Sequence, residues 1–319
     1  MRIVVIVSGA SRLSPAQVNA TLASGLNPDV AFEAQVANSS SEATMAAVQA
    51  AESAALVVAV GGDGTVADVA TGIYGSNAAL AIVPAGSTNI VARSLGIPAD
   101  PAAALALICG SYRLRSIDVG RCDDRSFIHM AGAGFDAALF SATSPLLKRR
   151  LGWIAYIPAA VVALRLPPSD VRITADDTVL KVRSSLVLVA NGSSAIAPEY
   201  QIYPGIEVDD GWLDVIAFTP SSPAEIAATL SRAGKQQLDR SPHVTHTRAQ
   251  TVSIDAAPPL PVELDGDPRG TTPRQFSIVH SGLQVVTPVD RSDGRSDYVR
   301  RTGHLDFGVD DMSGVDLRI

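Results

Sequence analysis

Two apolar runs that each end in a glycine-containing turn constrain the fold of this chain more than any other feature. Residues 55–60 lead into GGDGT at residues 61–65, and residues 80–83 lead into PAGSTN at residues 84–89. A helical pattern separates the runs, so both are predicted to be strands of one α/β sheet. Open α/β sheets bind ligands outside the carboxyl ends of their strands. The sequence therefore predicts a binding site built by both turns.

The first turn has the composition of a phosphate site with an added carboxylate. Glycine residues lack Cβ, so backbone N–H groups can approach phosphate oxygens closely. Asp63 adds a carboxylate, which fits an anion site that also holds a cation such as Mg²⁺. Thr65 and Asp68 predict a capping box, which would begin a helix at residue 66 and add its dipole to the site. An alternative is that the glycines are required for the turn conformation alone.

Composition narrows the class of protein. The 319 residues suggest two domains, and 47% hydrophobic residues provide enough material for their cores. A net charge of −7 argues against a dedicated nucleic-acid binder. The two cysteines form no disulfide framework, which fits a reducing compartment. The longest apolar run, residues 151–164, is shorter than the roughly 20 residues that span a bilayer. We therefore expect a cytoplasmic protein, either soluble or peripheral at the inner membrane surface.

The pattern of secondary structure changes near residue 112. Before it, strand and helix signals alternate, as is typical of a parallel-sheet α/β domain. After it, strand signals dominate, including one long predicted strand over residues 179–190. Helices are predicted there chiefly around residues 145–166 and 223–238. Strands with few intervening helices favour antiparallel sheets.

These patterns predict an α/β N-terminal domain followed by a β-rich, β-sandwich-like C-terminal domain. The first domain is assigned to residues 1–118, with completion by residues 281–290, and the second to residues 119–280. Residues 291–319 are polar and lack a core-forming pattern, so they are predicted to be a tail.

Five motifs, in their order and spacing, make the chain resemble the diacylglycerol kinase catalytic-domain family of lipid kinases, which includes bacterial diacylglycerol kinases and sphingosine kinases. They are GGDGT at 61–65, PAGSTNIVAR at 84–93, AGAGFDA at 131–137, VDDGWLD at 208–214 and LDGD at 264–267. The resemblance is collinear from residue 1 to residue 289. It implies an α/β domain like that of NAD kinases and diacylglycerol kinases, followed by a lipid-binding domain.

The resemblance also implies a reaction, namely transfer of the γ-phosphate of ATP, with Mg²⁺, to a hydroxyl group of a lipid such as diacylglycerol. The site would lie in the cleft between the domains. Asp63 is expected to hold Mg²⁺, directly or through water, and Asp267 is the expected general base; both are expected to be catalytic. The residues expected to bind the nucleotide are Gly61, Gly62, Asp63, Gly64, Thr65, Gly86, Ser87, Thr88 and Asn89.

Four residues of these motifs depart from the family pattern. Asp267 stands where the family has a glutamate, which is one methylene longer. Ser87-Thr88 replaces the Thr-Gly of many members, and Ile90 replaces an aspartate. Aspartate can act as the base where the backbone brings it closer, because general-base geometry depends on hydrogen-bond reach. The alternative is that Asp267 only shapes a hairpin turn.

Three further carboxylates, Asp209, Asp210 and Asp214, surround Gly211. In the family this loop resembles a structural metal site that shapes the lipid-binding domain, so these residues are expected metal ligands. The alternative is an Asp-Gly hairpin turn.

A basic segment, Lys148-Arg149-Arg150, precedes Trp153 and Tyr156. Basic residues beside aromatic ones suit the surface of an anionic membrane. The alternative is a core helix with a solvated basic start.

Three functions are compatible with these features: an ATP-dependent lipid kinase, a soluble-metabolite kinase of the NAD kinase type, and a catalytically degenerate lipid or nucleotide binder. NAD kinases carry an NE pair after the second turn and a GxLGFL stretch, and neither occurs here. We therefore favour the lipid kinase. The expected partner is a lipid substrate at the membrane surface and not a nucleic acid, and a homodimer is left open.

Overall fold

The N-terminal half is an α/β unit with a parallel sheet. The computed structural model describes residues 1–134, 167–193 and 201–289. The strands of this half are β1 (Arg2–Ser8), β2 (Ala31–Ala37), β3 (Leu56–Gly61) and β4 (Ala79–Pro84). Its helices are α1 (Pro15–Gly25), α2 (Ser40–Ala51), α3 (Asp63–Ile73), α4 (Ile90–Ser94) and α5 (Pro101–Cys109). The strands pair in parallel in the order β2-β1-β3-β4. Every residue of β3 and β4 is buried, which explains their continuous apolar sequences.

Helix starts follow local capping signals in most cases. At the start of α1, the Ser14 side chain accepts from Gln17 N, and the Gln17 side chain accepts from Ser14 N. Asp100 caps α5. The predicted capping box of Thr65 and Asp68 is wrong. Helix α3 already begins at Asp63 after the extended Gly62, and no side chain caps it. Thr65 therefore lies inside the first turn.

The C-terminal half is rich in antiparallel strands. They are β5 (Arg113–Cys122), β6 (Arg125–Phe127), β7 (Met130–Ala133), β8 (Ser169–Ala175), β9 (Thr178–Ser184), β10 (Leu186–Ala190), β11 (Leu213–Phe218), β12 (Val244–Ala249), β13 (Thr251–Ala257), β14 (Pro261–Leu264), β15 (Asp267–Thr271) and β16 (Arg274–Thr287). Helix α6 (Pro223–Gly234) and a 3₁₀ helix (Leu238–Arg240) follow β11. No described helix is long and apolar enough to cross a bilayer.

The long strand β16 joins the two halves of the chain. It pairs antiparallel with β5 along most of its length, and Val285 pairs in parallel with Leu80 of β4. Its first residues pair with β13, so the sheet continues as β4-β16-β13-β8-β9. One sheet therefore runs through both halves, and the predicted domain boundaries stay a prediction.

A second, antiparallel sheet packs on the extended one. Its order is β12-β11-β10-β7-β14-β15. Ile173 and Ile254 of the first sheet share a buried core with Val189 and Val215 of the second. This packing confirms the predicted α/β half followed by a β-sandwich-like half.

The single strand predicted over residues 179–190 is two strands in different sheets. β9 pairs with β8 in the extended sheet, whereas β10 pairs with β7 and β11 in the second sheet. At the crossing, the Ser184 hydroxyl donates to Phe218 O at 2.6 Å and accepts from Leu186 N at 3.1 Å. These bonds replace ladder bonds where the chain leaves one sheet for the other.

Several predictions fall outside the described residues. They concern the basic and aromatic segment Lys148 to Tyr156, the predicted helix over residues 145–166, residues 135–137 of the AGAGFDA motif, and the tail at residues 291–319.

Candidate active site

Residues 61–65 and 84–89, here called the paired turns, lie against each other at the ends of β3 and β4. Gly61 pairs with Pro84, and Ala85 N donates to Gly61 O at 2.8 Å. A Cβ atom on Gly86 would stand 2.5 Å from Gly62 Cα. The two glycines therefore let the two backbones touch, as the strand pattern predicted for turns at one sheet edge.

Asp63 connects the paired turns through its side chain. Its Oδ1 accepts from Val91 N at 3.1 Å, so it caps helix α4, which follows the second turn. Burial raises the pKa of this carboxyl group above its usual value, while the N–H groups of Val91 and Ile90 oppose the rise and Asp265 adds to it. A nearby cation would stabilise such a carboxylate, so Asp63 fits the predicted Mg²⁺ role.

Asn89 shapes the second turn from within. It has a left-handed backbone with φ of 51°. Its Oδ1 accepts from Gly86 N at 3.0 Å and its Nδ2 donates to Gly86 O at 3.1 Å. Because both ends of the side chain are engaged, Asn89 positions the turn that Ser87 and Thr88 present. Nucleotide binding by these residues, and by Gly61, Gly62, Gly64 and Thr65, stays a prediction.

The hairpin of β14 and β15, here called the acid hairpin (residues 263–269), brings Asp267 to the paired turns. A Cβ atom on Gly64 would stand 3.1 Å from Asp267 Oδ2. The Asp267 side chain is 46% exposed, so it is open to a ligand. The structure therefore places the candidate base beside the GGDGT turn, although the two lie far apart in the sequence.

Asp265 anchors the acid hairpin, a role that the sequence did not reveal. Its carboxylate accepts from the N–H groups of Ile128, His129 and Met130 at 2.7, 2.9 and 2.9 Å. Burial raises its pKa to about 6, although these three bonds favour the ionised form. The anchor holds the turn against the start of β7, and Asp267 follows two residues later.

Glu263 is a second buried acid of this hairpin. It is 4% exposed and accepts from Gly266 N. Burial, with smaller contributions from the charges of Asp265 and Asp267, raises its pKa to about 8 against the opposing effect of the Gly266 N–H. Glu263 is therefore mostly neutral at pH 7. Alternation with Val262 and Leu264 would place Glu263 on the solvent-facing side of β14, so the sequence did not predict its burial.

Arg125, which begins β6, lies between α3 and the acid hairpin. Its Nη2 forms an ion pair with Asp68 Oδ1 and lies 3.8 Å from Asp267 Oδ2. Its Nη1 donates to Ser40 Oγ at 2.6 Å. Arg269 Nη2 lies 3.8 Å from the same Asp267 oxygen. None of these partners was expected from the sequence.

The acidic loop around Gly211 pairs with cations of the protein. Arg115 Nη2 lies 2.8 Å from Asp209, and Arg248 pairs with Asp210. Asp214 accepts from His246 Nε2 at 2.6 Å if that nitrogen is protonated. Within the described ranges, no three His, Cys, Asp or Glu residues group as metal ligands. The carboxylates therefore do not fit a shared metal as they stand, and the metal site at Asp209, Asp210 and Asp214 stays a prediction.

Comparisons with known proteins agree with this architecture. The model of the diacylglycerol kinase catalytic domain matches residues 2–122, and that of the YegS C-terminal NAD kinase beta sandwich-like domain matches residues 129–287. The diacylglycerol kinase of Bacillus subtilis 168 is 30% identical over 262 residues, covering 80% of this chain and 86% of that protein. A Pseudomonas aeruginosa PAO1 protein named "Probable lipid kinase YegS-like" is 34% identical over 238 residues, covering 73% and 77%.

Solved structures share the fold. The crystal structure of a diacylglycerol kinase from Bacillus anthracis Sterne superposes with a TM-score of 0.67 at 22% identity, covering 90% of this chain and 96% of that chain. At this identity the likeness speaks for the fold alone. Together with the two domain models and the relatives, the fold and the motifs lead to one conclusion: the chain belongs to the diacylglycerol kinase catalytic-domain family of lipid kinases.

Proposed function

We propose that this protein transfers the γ-phosphate of ATP to a hydroxyl group of a lipid such as diacylglycerol, between the paired turns and the acid hairpin. The observation that carries the proposal is the close approach of Asp267 to Gly64, which brings a half-exposed carboxylate to a glycine turn at a helix N-terminus. Phosphate binding and proton acceptance thus become possible within one site.

The residues take separate roles in this reaction. The N–H groups of the paired turns bind the phosphates, and Asp63 would hold Mg²⁺, which would neutralise charge on the phosphate oxygens. Asp267 accepts the proton of the lipid hydroxyl. The lipid oxygen then bonds to the γ-phosphorus, the bond from phosphorus to the β–γ bridging oxygen breaks, and ADP leaves. Asp267 returns its proton to solvent.

A lipid acceptor is supported by the relatives, whose names describe diacylglycerol and lipid kinases. The acceptor would reach the site from a membrane surface, which the protein would meet as a peripheral partner. One observation favours the catalytically degenerate binder as a second candidate. Asp267 is shorter than the family's glutamate and stands 3.8 Å from each of two arginines, which would favour a purely structural ion pair.

The test is incubation of the purified protein with labelled ATP and Mg²⁺ and with mixed micelles of single lipids: diacylglycerol, monoacylglycerol, ceramide, sphingosine or phosphatidylglycerol. Soluble NAD is the matched non-lipid acceptor. We expect labelled lipid, and we expect Asp63→Asn and Asp267→Asn to abolish it. ATP binding without any transfer would support the degenerate binder, and labelling of NAD alone would support the soluble-metabolite kinase.

A further inference from the structure

Arg125 lies beside Asp267 but takes no direct part in the proposed phosphate transfer. Its side chain is 11% exposed, although arginine is rarely buried without partners. It begins β6, immediately after the turn at Asp123 and Asp124. A buried guanidinium group beside a candidate base therefore needs specific partners.

The contacts on one side of Arg125 fix it to the α2 and α3 helices. Asp68 pairs with Nη2, and the Ser40 hydroxyl accepts from Nη1 and donates to Asp68 Oδ1, both at 2.6 Å. The next residue is fixed too, since Ser126 N donates to Thr71 Oγ1 of α3 at 3.1 Å. The guanidinium group is therefore a rigidly held cation, planar and always charged.

On the other side, Arg125 faces Asp267. The 3.8 Å separation between Arg125 Nη2 and Asp267 Oδ2 is an ion-pair distance. Arg269 matches this distance, but its side chain is 34% exposed, three times the fraction of Arg125. A buried, doubly anchored cation restrains a neighbouring carboxylate more than an exposed one, because exposed pairs are screened and mobile.

We propose that Arg125 is the positioning residue for Asp267. It links the helix that begins within the GGDGT turn to the hairpin that carries the acid, and so sets the distance between nucleotide and base. The shorter acid makes this restraint necessary, since an aspartate has less reach than a glutamate. This inference rests on the proposed kinase function. Arg125 acts through Asp267.

The decisive variant is Arg125→Gln, assayed with the lipid that the wild-type protein phosphorylates. We expect kcat to fall about 10- to 100-fold, because misplacement of a catalytic group by about 1 Å has effects of this size. We expect KM for ATP to change less than about threefold, because the turns that bind phosphate are untouched. If Arg125 had a purely structural role, the variant would lower kcat and the affinity for ATP together.

Two further variants keep the test valid if Arg125→Gln fails to fold. Arg125→Lys retains the charge and the pair with Asp68 but loses the planar fork, so its kcat should lie between those of the wild type and Arg125→Gln. Arg2→Gln removes an arginine ion pair at the opposite edge of the parallel sheet, to Glu33 at 2.7 Å, and should keep wild-type kcat. Thermal melting of each variant checks its fold.

The outcomes separate this inference from the function on which it rests. A wild-type protein that phosphorylates no lipid would overturn both. An active wild type whose Arg125→Gln variant keeps kcat within twofold, or loses kcat and ATP affinity in parallel, would overturn the role of Arg125 alone. An Arg125→Lys variant as impaired as Arg125→Gln would also count against it, because the retained charge and the pair with Asp68 should restrain Asp267 in part.

Discussion

On one side of the candidate site, main-chain atoms fix the geometry, and on the other side charged side chains do. The paired turns are held by the close approach of Gly62 and Gly86 and by N–H groups that bind Asp63 and Asn89. The acid hairpin is held by the carboxylates of Asp265 and Asp267 with their partners. The geometry of the first side should therefore be sensitive to added volume, and that of the second side to changes of charge.

The largest expected effect is that of Asp267→Asn, which changes a charge on the side of the acid hairpin. Loss of the base should lower kcat by about 10²- to 10⁴-fold, because general-base catalysis contributes that much. The affinity for ATP, measured by calorimetry, should stay within about threefold, since the paired turns are intact. Asp267→Glu is the control and should keep most of the activity. Equal losses of ATP binding and kcat would show that the two sides are not separable.

Asp265→Ala should give the second largest effect, on stability. Three partly buried N–H groups would lose their acceptor; at about 1 kcal/mol each, the low end of the cost for buried groups, the free energy of unfolding should fall by about 3 kcal/mol. Urea unfolding measures it. Asp265→Asn is the matched control and should be milder, since asparagine keeps an acceptor oxygen and tolerates the left-handed backbone at φ of 48°. Equal losses would argue against the hydrogen bonds as the cause.

On the side of the paired turns, Gly86→Ala should lower both the stability and the affinity for ATP. One added methyl group, 2.5 Å from Gly62 Cα, must separate the two backbones, and overpacking of this kind costs about 1 to 3 kcal/mol. ATP affinity should fall about tenfold, which is about 1.4 kcal/mol. Calorimetry and thermal melting measure both quantities. Unchanged ATP affinity would contradict a nucleotide site at these turns.

The smallest expected effect is the pH dependence introduced by Glu263. Its pKa is raised in the folded state from 4.5 to about 8, so the folded protein keeps a proton that the unfolded chain releases at a lower pH. Stability should therefore fall as pH rises through this interval, by up to about 1.4 kcal/mol per pH unit. Measurement between pH 6.5 and 7.5 avoids most of the parallel contribution of Asp265, whose pKa is about 6. Glu263→Gln should flatten the slope, and an unchanged slope would exclude Glu263 as its origin.

Sequence reasoning reached the fold and the first side of the site because both depend on local patterns. The buried strands β3 and β4 are continuous apolar runs, and each ends in a glycine turn. It misjudged residues 179–190 because both halves of that run favour strands, and only the partner strands show that the chain changes sheets at Ser184. It missed Arg125 because no motif surrounds it, and its importance arises only where β6 meets α3.

The late position of β16 in the sequence affects folding during synthesis. During synthesis, residues 2–122, which the kinase-domain model matches, emerge from the ribosome well before residues 274–287. Until then, β4 lacks the neighbour at Val285, and β5 lacks the strand that it pairs with over most of its length. An exposed strand edge of this kind invites aggregation. The nascent N-terminal half should thus depend on chaperones, and a gene fragment ending at residue 122 should yield insoluble protein.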